Sequence, residues 1–230
     1  MKETGAKVPW REPKDISEAR EIQNGLAAWV LAEGDIEEES VRHIAGVDAS
    51  ITRDGKRMIG VIVILSYPSL KVEHAASALS DVAFPYVPGY LSFREIPVLL
   101  KAARQLKVQP DLTIVDGQGI AHPRRLGLAS HLGLVSGWRT IGCAKSRLIG
   151  RCDPPGVEKG AWHWCLDEGQ RVGTVVRTRR NVTPVWVSPG HRIGHEEAVW
   201  WVLRLATRYR LPEPVRAAHR HASEIRKQEG

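Results

Sequence analysis

Three strand-like runs follow one another closely in the first third of the chain. They cover Ile44 to Ile51, Met58 to Leu65 and Lys71 to Leu79. Asp54-Gly55, between the first two runs, is a strong hairpin signal, and Tyr67-Pro68-Ser69 is typical of a turn between the second and the third. Since connections this short join antiparallel neighbours, the order predicts a three-stranded antiparallel meander.

Beyond residue 90 the pattern changes to helices that alternate with strands. Phe93 to Leu106 and Leu126 to Val135 have helical spacing, whereas Leu112 to Val115 and Thr140 to Ala144 are strand-like. Strands that are joined through helices usually lie parallel in one sheet. Further strands are predicted at 172–177 and 185–188, and further helices at 15–33, 196–207 and 214–227.

Two of the predicted helices carry end signals. Asp15 is suited to cap the first helix and Gly34 to end it. Ser92, followed three residues later by Glu95, predicts a capping box for the helix near residue 93. Pro97 sits deep for a first helical turn, which favours a start a few residues later.

Three antiparallel strands, then helix, strand, helix, strand and further helices, is the order of the ribonuclease H-like fold. We therefore predict the α/β class, with a ribonuclease H-like mixed sheet (three antiparallel strands followed by parallel strands) flanked by helices. No repeat or low-complexity linker divides the chain, so we expect a single domain over 1–230. Its core is expected at about 40–210, with an N-terminal helix at about 15–33 and a C-terminal helix at about 214–227. A fold by itself assigns no activity.

The charge of the chain favours a polyanionic partner. Its formal net charge is +7, and arginines cluster at 124–125, 147–151, 171–180 and 204–226. Neutralising phosphates with such residues releases bound counterions, which drives binding to nucleic acid. From charge alone, a nucleic-acid-binding protein and a soluble protein that is merely basic remain alternatives.

Other features concern the compartment. The chain has no apolar run of about 18 residues that would predict a transmembrane helix, and the start Met1-Lys2-Glu3-Thr4-Gly5 lacks the apolar core of a signal peptide. Cys143, Cys152 and Cys165 are odd in number and lack paired metal spacing, which predicts reduced thiols in the cytoplasm. Zinc held by Cys152, His163 and Cys165 is an alternative that the spacing does not favour.

The strongest functional signal lies directly after the run Leu112 to Val115. There the chain reads Asp116-Gly117-Gln118-Gly119-Ile120-Ala121-His122-Pro123-Arg124-Arg125. This order places a carboxylate at the carboxyl end of a strand, then glycines that let a ligand approach the backbone, and then positive charge suited to phosphate. It favours a metal-dependent site that acts on nucleic acid.

Asp48, Glu95 and Asp116 are the candidate metal ligands. Asp48 stands within an apolar strand, where burying a carboxylate costs free energy unless a partner or a cation is present. The first and fourth strands of a ribonuclease H-like sheet are neighbours, so Asp48 and Asp116 are expected to meet. Such oxygen ligands suit Mg²⁺ or Mn²⁺. The alternatives are a solvent-facing Asp48, a Glu95 that only caps its helix, and an Asp116 that only caps a helix or forms a turn.

Several long strings of the sequence resemble the endonuclease V family, and they run in order over nearly the whole chain. They are Gly46-Val47-Asp48, Pro85 to Glu95, Asp116 to Gly133, Thr140 to Ser146, Ser188-Pro189-Gly190-His191 and Arg210-Leu211-Pro212-Glu213-Pro214. The resemblance implies an Mg²⁺-dependent endonuclease of ribonuclease H-like fold, with Mn²⁺ able to substitute. It implies recognition of deoxyinosine, which is deaminated deoxyadenosine, in DNA. It also implies hydrolysis of the second phosphodiester bond on the 3′ side, leaving 3′-hydroxyl and 5′-phosphate ends. Members of the family also cut inosine-containing RNA.

The same resemblance implies roles for individual residues. Asp48, Glu95 and Asp116 take the metal-ligand positions, and His219 falls where members carry a further ligand. Lys145 matches an active-site lysine, whose point charge can orient water or stabilise phosphate. A plain surface histidine at 219 and a solvated lysine at 145 are the alternatives.

Further residues are candidates for binding the substrate. Tyr86, between Pro85 and Pro88, matches a turn that wedges into the base stack when inosine is flipped out, with a rigid surface loop as the alternative. Residues expected to bind phosphate are Arg94, His122, Arg124 and Arg125. The remaining candidates, most of which match the base pocket of the family, are Val87, Gly89, Leu91, Gly117, Gly119, Gly127, Leu128 and His131. For each glycine, turn or packing geometry is the alternative.

The expected partners are DNA that contains deoxyinosine and, as a second substrate, inosine-containing RNA. We expect a cytoplasmic monomer without a membrane partner. A less selective ribonuclease H-like nuclease that acts on RNA or flaps remains an alternative, as does a lesion-binding module without catalytic activity. The presence of all three carboxylates and of the lysine argues against the module.

Overall fold

Five α-helices and nine strands make up the described part of the chain, residues 7–229 of a computed structural model. The helices are α1 (Ile16–Ala27), α2 (Leu91–Ala103), α3 (Leu128–Ser136), α4 (His195–Leu205) and α5 (Glu213–Gln228). The strands are β1 (His43–Ile51), β2 (Arg57–Ser66), β3 (Val72–Asp81), β4 (Leu112–Val115), β5 (Thr140–Ala144), β6 (Arg151–Cys152), β7 (Trp162–Asp167), β8 (Gln170–Val176) and β9 (Val185–His191). Within residues 7–229, no helix has the length and apolar character needed to cross a membrane. The start Met1-Lys2-Glu3-Thr4-Gly5, which we expect not to be a signal peptide, lies outside the described residues.

The strands form one mixed sheet in the order β3-β2-β1-β4-β5-β9-β8-β7-β6. β1, β2 and β3 are antiparallel neighbours, as the short turns predict. β4 lies parallel to β1, and β5 lies parallel to β4, whereas β9 returns antiparallel to β5. The predicted fold class is therefore confirmed, with the parallel part of the sheet confined to β1, β4 and β5 at its centre.

Alternation of side chains along the central strands divides the core into two layers. Ile44 and Ile114 pack in one cluster with α4 and the start of α5. Ala45 and Val115 pack on the opposite face with α2 and α3. Residues an even number of positions after Ile44 or Ile114 therefore point to the face that carries α5.

The start of α5 rests directly on β1. A Cβ atom at Gly46 would stand 1.8 Å from the carbonyl oxygen of Pro214, so a glycine is required for this approach. Further along the helix, Ala218 and Ala222 pack against β2. These contacts fix α5 across the sheet and determine which of its side chains reach the ends of the central strands.

The first helix differs from the prediction at one end. Its start is confirmed, because the carboxylate of Asp15 accepts a hydrogen bond from the backbone of the first turn at 2.9 Å. Its end is at Ala27 and not near Gly34. Beyond α1 the backbone is extended, and the amide of Leu31 donates to Nδ1 of His191 at 3.2 Å. A tertiary contact thus replaces the last predicted turns.

The predicted capping box of Ser92 and Glu95 is wrong. α2 begins directly after Tyr90, earlier than predicted, and Pro97 lies inside the helix. Ser92 is buried, and its hydroxyl makes a hydrogen bond of 3.0 Å with Nδ1 of His131. The partner of Ser92 is therefore a distant side chain, and Glu95 is left for another role.

The segment after β5 contains two strands that the sequence did not indicate, β6 and β7. Their pairing sets Cys152 opposite Cys165, and the two form a disulfide. The prediction of reduced thiols is wrong for this pair, because strand pairing joins cysteines that are 13 residues apart. Both sulfurs of the alternative zinc site with His163 are thereby used. Cys143 is buried with a free thiol.

Candidate active site

Asp48 and Asp116 are neighbours where the pairing of the parallel strands β1 and β4 ends. β1 and β4 pair with Val47 opposite Val115, so the next residue of each strand is one of these aspartates. Counted by twos from Ile44, Asp48 points to the face that carries α5, and Asp116 does the same on β4. The meeting of the two carboxylates follows from the strand order, as the sequence predicts.

His219 of α5 joins the two carboxylates. Its Nε2 lies 2.8 Å from Oδ2 of Asp116 and 3.4 Å from Oδ1 of Asp48. These hydrogen bonds raise the pKa of His219 to about 9. The nearby His221 lies instead beside Glu224, at 4.0 Å. Of the two histidines on this stretch of α5, His219 is therefore the one that enters the site.

Lys145 reaches the same aspartate from the end of β5. Its Nζ lies 2.6 Å from Oδ2 of Asp116 and 3.3 Å from Nε2 of His219. Burial alone would raise the pKa of Asp116, but its hydrogen bonds with His219 and Lys145 hold that pKa below its usual value. The lysine side chain is 48% exposed, so its ammonium group is also open to a ligand.

Glu95 approaches the two aspartates from α2. Burial, and then the negative charges of Asp48 and Asp116, raise the pKa of Glu95 to about 8. Glu95 is not one of the three side chains with ligand atoms within 4.8 Å of one another, which are Asp48, Asp116 and His219. It stands next to this group as a carboxyl without a close cationic partner of its own.

The donor set fits a divalent cation. Two carboxylates and an imidazole converge, and Glu95, whose pKa is raised first by burial and then by the charges of Asp48 and Asp116, is a further carboxyl beside them. Carboxylate oxygens are the ligands that Mg²⁺ and Mn²⁺ prefer, and imidazole is also compatible with Mn²⁺. Asp48, Asp116 and His219 are the residues that would hold such an ion, with Glu95 beside them.

A cavity of about 330 Å³ opens beside Asp116 and Lys145. It lies between the loop that precedes α2 and the glycine-rich loop that follows β4. Nine of the predicted substrate-binding residues line it, namely Tyr86, Val87, Pro88, Gly89, Leu91, Gly117, His122, Gly127 and Leu128. Tyr86 is 71% exposed at this cavity. The structure thus brings most of the predicted base pocket, the predicted wedge, Asp116 and Lys145 into one cleft.

Other predicted residues lie away from the cavity lining. Gly119 is packed, since a Cβ there would stand 1.9 Å from the carbonyl oxygen of Pro189. His131 is buried against Ser92. Arg94 donates to the carbonyl of Phe84 at 3.4 Å. The residues outside the lining are Pro85, Arg94, Gly119, Arg124, Arg125 and His131.

The cavity is also lined by residues that the sequence analysis did not predict to bind substrate. They are Gln23, Ser92, Gln118, Leu126, Ala144, Ser146, Arg147 and Leu148. Ser146 to Leu148 follow Lys145 beyond the end of β5. Residues directly after the end of β4 are candidates for the site, and the same reasoning at the end of β5 would have identified these three. Gln23 interrupts the apolar face of α1, which was its only signal in the sequence.

Comparison with known proteins gives consistent matches. The family model for Endonuclease V matches residues 24–220. Endonuclease V of Alkalilimnicola ehrlichii is 53% identical over 182 residues, which are 79% of this chain and 80% of that protein. The crystal structure of the Endonuclease V from Streptomyces avermitilis superposes with a TM-score of 0.90 at 37% identity, covering 98% of this chain and 99% of that one.

A second solved structure contains nucleic acid. It is the Endonuclease V of Ciona intestinalis in complex with a 24mer DNA containing an inosine followed by a ribo-adenosine. It superposes with a TM-score of 0.83 at 29% identity and covers 94% of this chain and 98% of that chain.

Proposed function

This chain belongs to the endonuclease V family, and from that premise we propose that it is a DNA-repair endonuclease that recognises deoxyinosine. It hydrolyses the second phosphodiester bond on the 3′ side of the lesion and leaves 3′-hydroxyl and 5′-phosphate ends. The reaction depends on Mg²⁺, for which Mn²⁺ substitutes. The observation that carries the proposal is the single cleft in which the base-sized cavity opens onto Asp116 and Lys145.

The cation belongs at the meeting point of β1, β4 and α5. Asp48, Asp116 and His219 would bind it, and Glu95 balances further positive charge from the side of α2. When bound, the cation supplies Lewis-acid stabilisation of the charge that develops on the phosphate. To hold a cation, His219 would have to be neutral, since an imidazole binds a metal only without its second proton.

Lys145 supplies a second positive group at the scissile phosphate. Its contact with Asp116 places Nζ at the edge of the cation site, while its exposed side faces the cleft. An ammonium group at this position binds a phosphate oxygen and holds it as negative charge builds up. Lys145 therefore acts on the substrate, and Asp116 keeps it in position.

The cavity suits a base that has left the helix. An inosine inside a duplex is inaccessible, so an enzyme that reads it takes it out of the stack. Gly117 lines the cavity, where the lack of a side chain allows close approach to the flat edge of a base. Gly127 also lines it, but a Cβ there would stand 2.4 Å from the carbonyl oxygen of Gln118, so this glycine is needed for packing. Tyr86, exposed between two prolines, is placed to enter the gap that the base leaves. The inosine-containing DNA bound by the Ciona protein supports this assignment.

We further propose that inosine in RNA is accepted and that the protein acts as a monomer. The base is the same in both nucleic acids. Location in the cytoplasm is part of the same proposal.

The test compares two end-labelled duplexes that differ only in one deoxyinosine in place of deoxyadenosine. With Mg²⁺ we expect a single cut at the second bond 3′ to the inosine, and with EDTA no cut. A ligase that requires 3′-hydroxyl and 5′-phosphate ends should reseal the nick. The same strand made of RNA, with one inosine, extends the test to the second substrate.

Two results would overturn the proposal. Equal cutting of both duplexes would indicate a less selective nuclease. Selective binding of the inosine duplex without any cut, in Mg²⁺ and in Mn²⁺, would indicate a lesion-binding module.

A further inference from the structure

The loop from Pro85 to Tyr90, here called the wedge loop, carries the most exposed aromatic side chain of the cleft. Tyr86 is 71% exposed, and the loop lies outside the sheet, between β3 and α2. A side chain that enters a base stack works against the free energy of stacking. A loop in this role therefore needs an anchor that keeps it from retreating.

The anchor is the carbonyl oxygen of Gly89, which receives three hydrogen bonds. Nη2 of Arg124 donates at 2.8 Å, Nε2 of His122 at 2.9 Å and Nε2 of Gln23 at 3.0 Å. A carbonyl oxygen has two lone pairs, so three donors saturate it. Gly89 has a φ of +80°, and a Cβ there would stand 3.0 Å from the Arg124 guanidinium. A glycine is therefore required both by the backbone and by the closeness of the arginine.

His122 is a neutral donor in this arrangement. Because a carbonyl only accepts, Nε2 of His122 carries the hydrogen, and Nδ1 accepts from the amide of Arg124 at 3.2 Å. Burial lowers the pKa of His122 to about 4, so the ring is uncharged at neutral pH. Its polar atoms are both engaged inside the protein, and the expectation that His122 binds phosphate is not supported by its placement.

Arg124 ties the wedge loop to two other segments. Its Nε donates to Oε1 of Gln23 on α1, and its guanidinium lies 4.3 Å from the centre of the Tyr90 ring. Arg20 of the same helix donates to the hydroxyl of Tyr90 at 3.3 Å. The last residues of the loop are thus held by side chains of α1 and of the loop that follows β4. Gln23 lies just outside the residues 24–220 that match the family model.

We infer that Arg124, together with Gln23, is a positioning residue that holds the wedge loop at a fixed distance from the active-site carboxylates. This inference rests on the proposed function, because the loop needs such support only if Tyr86 enters a stacked duplex. Arg124 does not bind phosphate in this arrangement. It acts on the substrate through Gly89 and the wedge loop.

The test uses Arg124→Met, which keeps the length of the side chain and removes its donors. Cleavage of a single inosine in a duplex should fall by about 10-fold, whereas cleavage of the same strand without its complement should change less than about 3-fold, because its bases are already accessible. Hydrogen exchange of the amides at 86–90 should become faster by about 5-fold, with the strands unchanged.

Arg192→Met is the matched control. Arg192 also donates to the carbonyl of a glycine with positive φ, Gly137, at 3.2 Å, but outside the cleft. This variant should keep the wild-type ratio of duplex to single-strand cleavage and the wild-type exchange at 86–90. If Arg124→Met fails to fold, Gln23→Leu provides the same comparison with a smaller expected loss, about 3-fold on the duplex.

An equal loss on both substrates, or unchanged exchange at 86–90, would overturn the positioning role. The exchange measurement needs no substrate, so it reports on the anchor even if the wild-type protein cuts no inosine. In that case the proposed function fails, whereas the exchange at 86–90 still shows whether Arg124 anchors the wedge loop.

Discussion

Nζ of Lys145 lies 2.6 Å from Oδ2 of Asp116, although 29 residues separate them in the chain. Both residues follow strands of the parallel centre of the sheet, where Val115 of β4 pairs with Gly142 of β5. Their contact is therefore a direct result of the strand order. It places a cationic group and a candidate metal-binding carboxylate at the same edge, where the cleft opens.

Asp116→Ala should abolish cleavage and preserve binding. The carboxylate of Asp116 is shared by His219 and Lys145, so its loss removes a cation ligand and the partner of the lysine. We expect the rate of cutting an inosine duplex to fall by at least about 100-fold, with the dissociation constant for the uncut duplex changed little. Gel-shift and single-turnover assays measure the two quantities. Asp81→Asn, at the exposed end of β3, is the control and should cut at the wild-type rate. If Asp116→Ala also cut at the wild-type rate, Asp116 would have no role in the mechanism.

Lys145→Met should slow the reaction and reduce the Mg²⁺ requirement. Loss of the ammonium group removes a contact to the phosphate, which typically costs about 100-fold in rate. It also removes a positive charge that repels a cation from Asp116, so half-maximal cleavage should need less Mg²⁺. A Mg²⁺ titration of the single-turnover rate measures both effects. An unchanged rate at saturating Mg²⁺ would mean that Lys145 does not touch the reacting phosphate.

Tyr86→Ala should impair duplex substrates selectively. Because this side chain is 71% exposed, we expect the free energy of unfolding to stay within about 0.5 kcal/mol of the wild-type value. Cleavage of inosine in a duplex should fall by about 10-fold, and in a single strand by less than about 2-fold. Trp200→Ala, which removes an aromatic ring that is 42% exposed on α4, serves as the comparison. Equal behaviour of the two variants on duplex DNA would exclude the wedge.

Gly119→Ala should destabilise the fold before it affects base recognition. The added methyl group would stand 1.9 Å from the carbonyl oxygen of Pro189, a backbone atom of β9. We expect a loss of about 3–5 kcal/mol of unfolding free energy and a melting temperature lower by about 10 °C. Gly25→Ala is the control, because nothing lies within 4 Å of a Cβ in that position of α1, and it should gain about 0.5–1 kcal/mol. If Gly119→Ala had wild-type stability but bound inosine weakly, the result would favour a role for Gly119 in the base pocket.

His131 should make the protein less stable in mild acid. Burial lowers the pKa of His131 to about 3, below the value near 6.5 of an unfolded chain, so the unfolded state binds more protons between these values. Stability from this residue is present above pH 6.5 and is lost as the pH falls. From pH 7 to pH 5 the loss is about 2 kcal/mol. Denaturant unfolding of the wild type and of His131→Gln at both pH values measures it. The difference in unfolding free energy between the wild type and His131→Gln should be smaller at pH 5 than at pH 7 by this amount. If that difference is the same at both pH values, the stability effect is not due to His131.

Local sequence pattern was sufficient for the centre of the sheet. Apolar runs located β1 and β4, and the strand order of a ribonuclease H-like sheet predicted that Asp48 and Asp116 meet. The pattern failed after β5, where glycines and polar residues surround the short strands that pair Cys152 with Cys165. The local pattern also failed at Ser92. It predicted that Ser92 caps a helix, whereas in the structure the Ser92 hydroxyl makes a hydrogen bond with His131.

Periodicity along the sequence located the strands at the centre of the sheet, and the long strings that resemble a known family identified the family and the candidate carboxylates. Apart from the meeting of Asp48 and Asp116, only the tertiary structure decided which polar side chains meet. Gly89 takes its donors from residues 66, 33 and 35 positions away, and the proposal that Arg124 supports the wedge loop is based on these contacts. Such partnerships depend on how α1, α5 and the loops pack on the sheet. A short-range pattern carries no information about distances across that packing.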